Sequence, residues 1–385
     1  METFETVVEF IRRLYNTDGF IPLHEPRFIG NEKKYLNECI DSTYVSYVGE
    51  YVRRFEDMIK EFTGSKHAIA TANGTLALHA ALLLMGVKPD DEVLTQTLTF
   101  VATANAISHC KATPIFIDSE KETLGMSPER LEEFLEIETA MHDDGHCYNR
   151  KTKKKISACI PVHVFGHPVT LDRLLDICKR RNIPLIEDSA ESLGSYYKGS
   201  HTGTFGKIGV FSFNGNKIVT TGGGGMIITD DDDIAKKAEH ITSTAKVINK
   251  WGFIHDEVGY NYRMPNVNAA VGCAQMENLP FFLHNKRKTA GEYKDFFNKM
   301  DIDYFVEREG SLSNYWLNTV ILKDRVQRDK FLEYCNSNRV MSRPVWTLLH
   351  KLPMYSDCQT TRLEEAQWLE DRLVNLPSSV RLGDA

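Results

Sequence analysis

The feature that most constrains the fold is an alternation of short apolar runs with helical segments in the first half of the chain. Strands that alternate with helices of this length form right-handed βαβ units and a mostly parallel sheet. In such sheets, ligands bind at the carboxyl ends of the strands. The strand-like runs are Val93–Thr95, Thr113–Asp118, Ile156–Val164, Pro184–Ile186 and Ile208–Phe213, and the helical segments are Phe100–His109, a segment that begins at Ser127, and Leu171–Arg181.

Changes of pattern divide the chain into two parts. Apolar residues at helical spacing over Phe4–Leu14 predict a short amphipathic helix ahead of the α/β region. After about Leu279, longer amphipathic helices and only a few strands follow. We therefore predict a large domain over residues 1–275, which includes the N-terminal helix and arm, and a smaller α+β domain over residues 276–385.

The composition is that of an ordinary globular protein, with 42% hydrophobic and 26% charged residues in 385. A formal net charge of -7 and a pI near 6.0 argue against nucleic acid as the main partner. No apolar run reaches membrane-spanning length, so no membrane association is predicted. The acidic start at Met1 lacks the basic region of a secretory signal, and the 8 cysteines are scattered without a C-x-x-C pair. These features predict that the protein resides in the reducing cytoplasm.

The segment Met141–Lys155 is polar and contains two histidines, two aspartates and a cysteine. The spacing of these side chains is irregular for a metal site. Its run of lysines favours a solvated loop, and no metal is predicted.

A single lysine, Lys217, follows the turn that ends the apolar run Ile208–Phe213. Four glycines, Gly222–Gly225, come shortly after it. A lysine held between core strands, beside backbone that carries no side chains, suits a Schiff base with an aldehyde. Burial lowers the pKa of an ammonium group, and only the neutral amine attacks a carbonyl. The alternative is an exposed turn lysine, since surface lysines greatly outnumber catalytic ones.

A second candidate site begins at Asn73-Gly74-Thr75, between the apolar run Ala68–Ala70 and the helical segment Leu76–Met85. The free N–H groups and the positive end of the helix dipole would bind an anion there. The alternative is a plain helix cap, because Asn and Thr both favour that position. Like Asn73, Asp188 and Lys217 fall at predicted strand ends, which predicts one shared site.

The order of these pieces resembles the DegT/DnrJ/EryC1/StrS family of sugar aminotransferases, which use pyridoxal 5′-phosphate (PLP). The resemblance covers nearly the whole chain from Ile21 onward. It implies the fold type I of PLP-dependent transferases, an α/β fold with a mostly parallel central sheet flanked by helices and a smaller C-terminal α+β domain. The motifs that carry it are Asn73-Gly74-Thr75, Thr99-Phe100, Glu187-Asp188, Ser212 to Lys217 with the glycine run after it, and Asn261 to Met264.

The resemblance implies a catalytic role for Lys217, which would bind PLP as a Schiff base and shuttle a proton during transamination. Asp188 would pair with the protonated pyridine nitrogen and so keep the ring an electron sink. Phe100 would stack on the ring. Taken singly, Asp188 could be a helix cap and Phe100 a core residue.

The resemblance also implies a phosphate site formed by Asn73, Gly74, Thr75 and the Ser212 hydroxyl. Taken alone, Ser212 could be an ordinary strand-end hydroxyl. In this family the Asn of the N-Y-R-M loop reaches the phosphate from the neighbouring subunit. Asn261 therefore predicts an obligate homodimer with shared active sites.

Glu191 departs from the family pattern, since many relatives carry a Gln there that contacts the ring hydroxyl. A carboxylate at that position would have to be protonated or share a proton. Contacts with the substrate diphosphate, uracil or sugar are assigned to Arg263, Trp346 and His350. Trp346 and His350 could equally be packing residues.

The stretch from Ser212 to Gly225 resembles that of C-4 aminotransferases for nucleotide-linked 4-keto-6-deoxy sugars, and Gly19–Tyr35 is similar to enzymes of legionaminic acid and bacillosamine biosynthesis. These resemblances imply amino transfer from L-glutamate to UDP-2-acetamido-4-keto-2,6-dideoxy sugar, with pyridoxamine 5′-phosphate (PMP) formed between the half-reactions. The alternatives are a C-3 or other-nucleotide keto-sugar aminotransferase, or a non-catalytic regulator. In PLP sugar dehydratases of this family, histidine replaces the lysine, so Lys217 argues against that activity.

Overall fold

The computed structural model describes residues 2–383 of the chain. Between those limits, no helix is long and apolar enough to cross a membrane. The helices are α1 (Glu2–Tyr15), α2 (Glu32–Ser42), α3 (Glu50–Thr63), α4 (Gly74–Leu84), α5 (Ala102–His109), α6 (Pro128–Ile137), α7 (Leu171–Arg180), α8 (Asp232–Thr242), α9 (Asn266–Phe297), α10 (Arg325–Ser337) and α11 (Glu364–Glu370). The strands are β1 (His67–Thr71), β2 (Glu92–Gln96), β3 (Thr113–Ile117), β4 (Thr139–Met141), β5 (Cys147–Asn149), β6 (Ile156–Ile160), β7 (Ile186–Asp188), β8 (Tyr196–Tyr197), β9 (Ser200–His201), β10 (Ile208–Ser212), β11 (Gly225–Thr229), β12 (Lys246–Val247), β13 (Ile254–His255), β14 (Asp303–Tyr304), β15 (Ser311–Leu312), β16 (Asn318–Ile321), β17 (Arg343–Pro344) and β18 (Leu373–Leu376).

The central sheet has the strand order β1-β11-β10-β7-β6-β2-β3. Parallel bridges from Cys159 to Leu185 and from Val162 to Asp188 join β6 to β7. The neighbouring pairs are parallel except at β11, which runs antiparallel to both β1 and β10. The predicted mostly parallel sheet is confirmed.

Helices cover both faces of this sheet, because its strands are apolar on both sides. On one face, α4, α5 and α8 bury apolar side chains against β1, β10 and β11. On the other face, α3 and α9 pack against one part of the sheet, and α6 and α7 against the rest.

The sheet brings three chain segments to one edge. β7 ends at Asp188, and β10, parallel to it, ends at Ser212. β11 enters the sheet in the opposite direction at Gly225, which pairs with both Thr71 and Ser212. The start of α4, just after Thr71, therefore lies beside the end of β10.

The C-terminal unit contains an antiparallel sheet of order β14-β16-β18-β17. Its core also includes Val7, Val8 and Ile11 of α1, packed against the end of α9 and against α10. The N-terminal helix thus packs with this unit, although the sequence assigned it to the large domain. The expected boundary between residues 275 and 276 falls within α9, which continues to Phe297 through Pro280.

The segment expected to be a solvated loop, Met141–Lys155, instead contains part of a hairpin in which β4 pairs with β5. Each of these strands has only three residues, too few to show a period. In the described residues, the group of potential metal ligands with atoms within 4.8 Å of one another is His240, Asp256 and Glu257, outside this segment.

Candidate active site

A cavity of 310 Å³ lies at the edge of the sheet where β7 and β10 end. Its lining includes the predicted catalytic and cofactor-binding residues except Asn261, together with one predicted substrate residue. These are Asn73, Gly74, Thr75, Phe100, Asp188, Glu191, Ser212, Lys217 and Trp346. Residues far apart in the sequence therefore meet in one place.

The N-terminus of α4 forms one wall of the cavity. Asn73 is extended and its Oδ1 accepts a hydrogen bond from Leu76 N–H at 2.9 Å, so it does cap the helix. A Cβ atom on Gly74 would lie 2.9 Å from Ser212 Cβ. Glycine thus allows the free N–H groups of the first helical turn to approach the Ser212 hydroxyl, and this arrangement suits a phosphate.

Asp188 is held at the end of β7 and is 3% exposed. Its Oδ2 accepts a hydrogen bond from Thr103 Oγ1 at 2.7 Å, and its Oδ1 accepts one from Ala190 N–H at 3.2 Å. Burial raises the pKa of this carboxyl group. A cation in the cavity would stabilise the charged form.

The preceding residue, Glu187, faces the other side of the strand. Its carboxylate accepts hydrogen bonds from the N–H groups of Gly203, Phe205 and Gly206, each at 2.7 Å, and it lies 3.1 Å from His163 Nε2. In the Glu-Asp pair, Glu187 therefore holds a loop and Asp188 faces the cavity.

Lys217 projects into the cavity, and its side chain is only 12% exposed, which excludes the exposed-turn alternative. Its Nζ lies 3.2 Å from Glu191 Oε1 and 3.9 Å from the ring centroid of Trp316. Glu191 Oε2 accepts a hydrogen bond from Phe165 N–H at 2.8 Å. Burial raises the pKa of Glu191, while the nearby Lys217 charge acts to lower it.

Two aromatic side chains form an apolar part of the wall. The ring of Phe100 is 52% exposed, so Phe100 is not a core residue, and its centroid lies 6.3 Å from that of Trp346. Trp346 also packs against Phe165, with 5.0 Å between centroids. A planar ring bound here would meet aromatic surface.

Three predicted residues lie outside this cavity. Arg263 Nη2 donates to Glu56 Oε1 at 2.7 Å, because the buried carboxylate of Glu56 needs a cation. His350 Nδ1 lies 2.8 Å from Thr97 Oγ1. Asn261 is exposed and bridges to Ser243. The structure therefore does not bring Arg263 and His350 to the lining of this cavity.

Sequence reasoning missed two side chains of the lining that contact Asp188 or Lys217. Thr103, which binds Asp188, stands one helical turn after Phe100, and that spacing could have identified it. Trp316 comes 100 residues after Asn216, whose carbonyl accepts a hydrogen bond from the indole N–H at 2.7 Å. No local sequence pattern predicts such a contact.

The residues of this cavity fit PLP. A buried carboxylate, Asp188, suits the pyridine nitrogen, and the approach of Gly74 to Ser212 leaves a cradle for the phosphate that a Cβ would fill. Lys217 supplies the amine that PLP requires. The three groups lie in one lining with aromatic surface between them.

Comparison with known proteins agrees with this geometry. The sequence profile of the DegT/DnrJ/EryC1/StrS aminotransferase family matches residues 26–385. The chain is 37% identical to GDP-perosamine synthase from Escherichia coli O157:H7, over 93% of each chain. It is 38% identical to the putative pyridoxal phosphate-dependent aminotransferase EpsN from Bacillus subtilis, over 87% of this chain and 84% of the relative.

Among solved structures, the PLP form of the putative sugar aminotransferase Spr1654 from Streptococcus pneumoniae matches with a TM-score of 0.84. The match covers 95% of each chain at 22% identity, and this likeness supports the fold. The same relative has also been solved in a PMP form. The predicted cofactor agrees with the family match and with the pyridoxal phosphate named for EpsN.

The profile match and the curated relatives confirm the predicted family, fold class and enzyme class. They support a sugar aminotransferase and leave the particular sugar nucleotide open. The chain belongs to the DegT/DnrJ/EryC1/StrS aminotransferase family.

Proposed function

We propose that the protein is a PLP-dependent aminotransferase that moves the amino group of L-glutamate to the C-4 ketone of a nucleotide-linked 4-keto-6-deoxy sugar. The observation that carries the proposal is the convergence of the Lys217 amine, the buried Asp188 carboxylate and the α4 N-terminus on one cavity. A non-catalytic regulator would not need Lys217 and Asp188 together.

The roles of the protein groups follow from their positions. PLP, when bound, draws electrons from the substrate carbon next to the transferred nitrogen and makes the proton on that carbon removable. In the first half-reaction Lys217 Nζ would take the proton from that carbon of L-glutamate and give it to the bound cofactor, and in the second it would move a proton from the cofactor to C-4 of the sugar. Asp188 would hold a negative charge beside the pyridine nitrogen, and the α4 N-terminus with Ser212 would anchor the phosphate. Phe100 and Trp346 would present aromatic surface to the bound ring.

Two nucleotides are candidates for the carrier of the keto sugar that accepts the amino group. The sequence resemblance predicts a UDP-2-acetamido-4-keto-2,6-dideoxy sugar, as used in legionaminic acid or bacillosamine biosynthesis for surface glycans. GDP-perosamine synthases from Escherichia coli O157:H7 and Vibrio cholerae are 37% and 38% identical to this chain, which favours a GDP-linked sugar. We take the GDP-linked 4-keto-6-deoxy hexose as the second candidate.

The same proposal includes a homodimer in which Asn261 of each subunit completes the cavity of the other. Asn261 is exposed and does not line the cavity of its own chain. Large exposed aromatic side chains nearby, such as Trp251 at 85% and Phe253 at 83%, support burial against a second subunit. Mixing inactive Lys217→Ala with Asn261→Ala subunits should restore part of the activity, whereas independent sites would give none.

We also propose a cytoplasmic location, which is supported by the state of the cysteines. All eight are free thiols, and seven of them are buried. Thiols of this kind persist in a reducing compartment.

The test is the absorbance spectrum of the purified protein with added PLP. Lysine-bound PLP gives a visible band, which L-glutamate should remove by converting the cofactor to PMP. Addition of the UDP-linked or the GDP-linked keto sugar should then restore the band. The keto sugar that restores the band faster identifies the nucleotide. Lys217→Ala is the matched control and should give no such band. A wild-type spectrum identical to that of Lys217→Ala would refute the proposed function.

A further inference from the structure

Two groups beside the Lys217 amine have no assigned role in the proton transfers of the proposed reaction. Glu191 Oε1 lies 3.2 Å from Nζ, and the ring centroid of Trp316 lies 3.9 Å from it. A carboxylate and an indole face both attract an ammonium group and have little attraction for a neutral amine. Together they form a site for the charged form of the lysine side chain.

The indole is fixed in this position by its own contacts. Trp316 Nε1 donates to the carbonyl of Asn216, the residue before the lysine, at 2.7 Å. Its backbone N–H donates to Asn314 Oδ1 at 2.8 Å, and its carbonyl accepts from the buried Lys286 Nζ at 3.1 Å. The ring therefore has little freedom to leave the lysine.

Glu191 is held by the same framework. Asn314 Nδ2 donates to the backbone carbonyl of Glu191 at 2.9 Å, and Phe165 N–H donates to its Oε2 at 2.8 Å. Phe165 has φ = 56° and Tyr315, next to Trp316, has φ = 47°. Residues other than glycine rarely adopt such values, so the surrounding contacts must hold both backbone segments in place.

A carboxylate suits this site better than a neutral amide would. A glutamine side chain is neutral and would give the amine only a weak hydrogen bond. Glu191 is buried and needs a cationic partner to remain charged, and Lys217 is that partner. Asp188 is the second buried carboxylate that acts on Lys217, and the buried His24 also lies close enough to feel its charge.

We propose that Glu191 and Trp316 form a holding site for the ammonium group that Lys217 carries once this side chain, released from PLP, has taken up a proton. Its purpose rests on the proposed function, because a transaminating lysine must leave the cofactor and return to it in every cycle. Glu191 and Trp316 are positioning residues in this proposal, since they act on the reaction through Lys217.

The test uses the full-length protein without cofactor, so its outcome does not depend on aminotransferase activity. Lysines are acetylated with a trace of amine reagent over a range of pH, and the labelling of Lys217 is measured by peptide mass spectrometry. The neutral amine reacts, so the loss of a group that stabilises the ammonium should speed labelling at neutral pH. We expect about tenfold faster labelling in Trp316→Leu and about tenfold or more in Glu191→Gln.

Trp368→Leu is the matched control, because Lys121 Nζ lies 4.4 Å from the ring centroid of Trp368, away from the cavity. It should leave Lys217 labelling unchanged. The plateau rate at high pH separates a change of access from a change of protonation, since only access alters the plateau. Trp316→Phe keeps an aromatic face and should label at an intermediate rate, which covers the case in which Trp316→Leu does not fold.

Labelling of Lys217 that is the same in wild type, Glu191→Gln and Trp316→Phe would overturn the holding site, whatever the PLP spectrum shows. The opposite combination is also informative. Faster labelling in the variants of a protein that never shows a PLP band would support the holding site and refute the aminotransferase.

Discussion

The substitution Gly74→Ala tests the phosphate cradle directly. A Cβ at this position would lie 2.9 Å from Ser212 Cβ, 3.2 Å from Ser212 Oγ and 3.5 Å from Ser212 Cα. Ordinary contacts of a Cβ atom begin at about 3.4 Å, so the end of β10 and the start of α4 must separate by about half an ångström. A change of rotamer would move Ser212 Oγ but not Ser212 Cβ, so it cannot relieve the closest contact.

The size of the effect follows from that clash. Overpacking of a well-packed site costs about 1–3 kcal/mol. If the separation widens the cradle, PLP loses contacts with the N–H groups of α4, and its dissociation constant should rise about 10- to 100-fold. Better helix propensity of alanine offsets at most about 1 kcal/mol of the loss in stability.

Two measurements check this prediction: a PLP titration followed by the visible band, and unfolding in denaturant. Gly291→Ala is the matched control, since it makes the same change inside α9, and no described heavy atom within 4 Å would meet its Cβ. It should stabilise the protein by about 0.5–1 kcal/mol and leave PLP affinity unchanged. If Gly74→Ala bound PLP as tightly as Gly291→Ala does and were equally stable, the assignment of the cradle would be wrong.

Three further predictions concern buried charges. Burial raises the pKa of Asp188, so Asp188→Asn should stabilise the cofactor-free protein at neutral pH. The same substitution should lower kcat at least about 100-fold. Unchanged turnover would contradict the role of Asp188 beside the pyridine nitrogen. Arg263→Met should lower the free energy of unfolding by about 3–5 kcal/mol at neutral pH, because Glu56 is left buried without its partner. The loss should be smaller at lower pH, where Glu56 takes up a proton. Equal losses at both pH values, measured by denaturant unfolding, would contradict this account. Burial lowers the pKa of His167 to about 3, so below about pH 6.5 the unfolded chain binds a proton that the folded protein does not, and stability falls with the pH. His167→Phe should reduce this loss of stability in acid. Unfolding midpoints that fall as steeply with acid in the variant as in wild type would argue against it.

The sequence by itself determined the sheet and most of the site. Apolar runs and helical periods are local, and they identified the strands that end at Asp188 and Ser212. The carboxyl ends of parallel strands meet at one edge, so residues placed there by sequence position alone are brought together. Lys217, Asp188 and the turn at Gly74 could be identified for this reason.

Only the tertiary structure decided which groups surround the lysine and which charges pair. Trp316 binds Asn216, the neighbour of Lys217, across 100 residues, and Arg263 is held by Glu56, 207 residues away in the chain. The packing of α1 with the C-terminal unit and the continuity of α9 across the expected boundary were likewise hidden. Such contacts depend on how helices and strands pack against one another, and no short-range sequence pattern predicts them. The ends of strands, in contrast, follow from local hydrophobic periodicity.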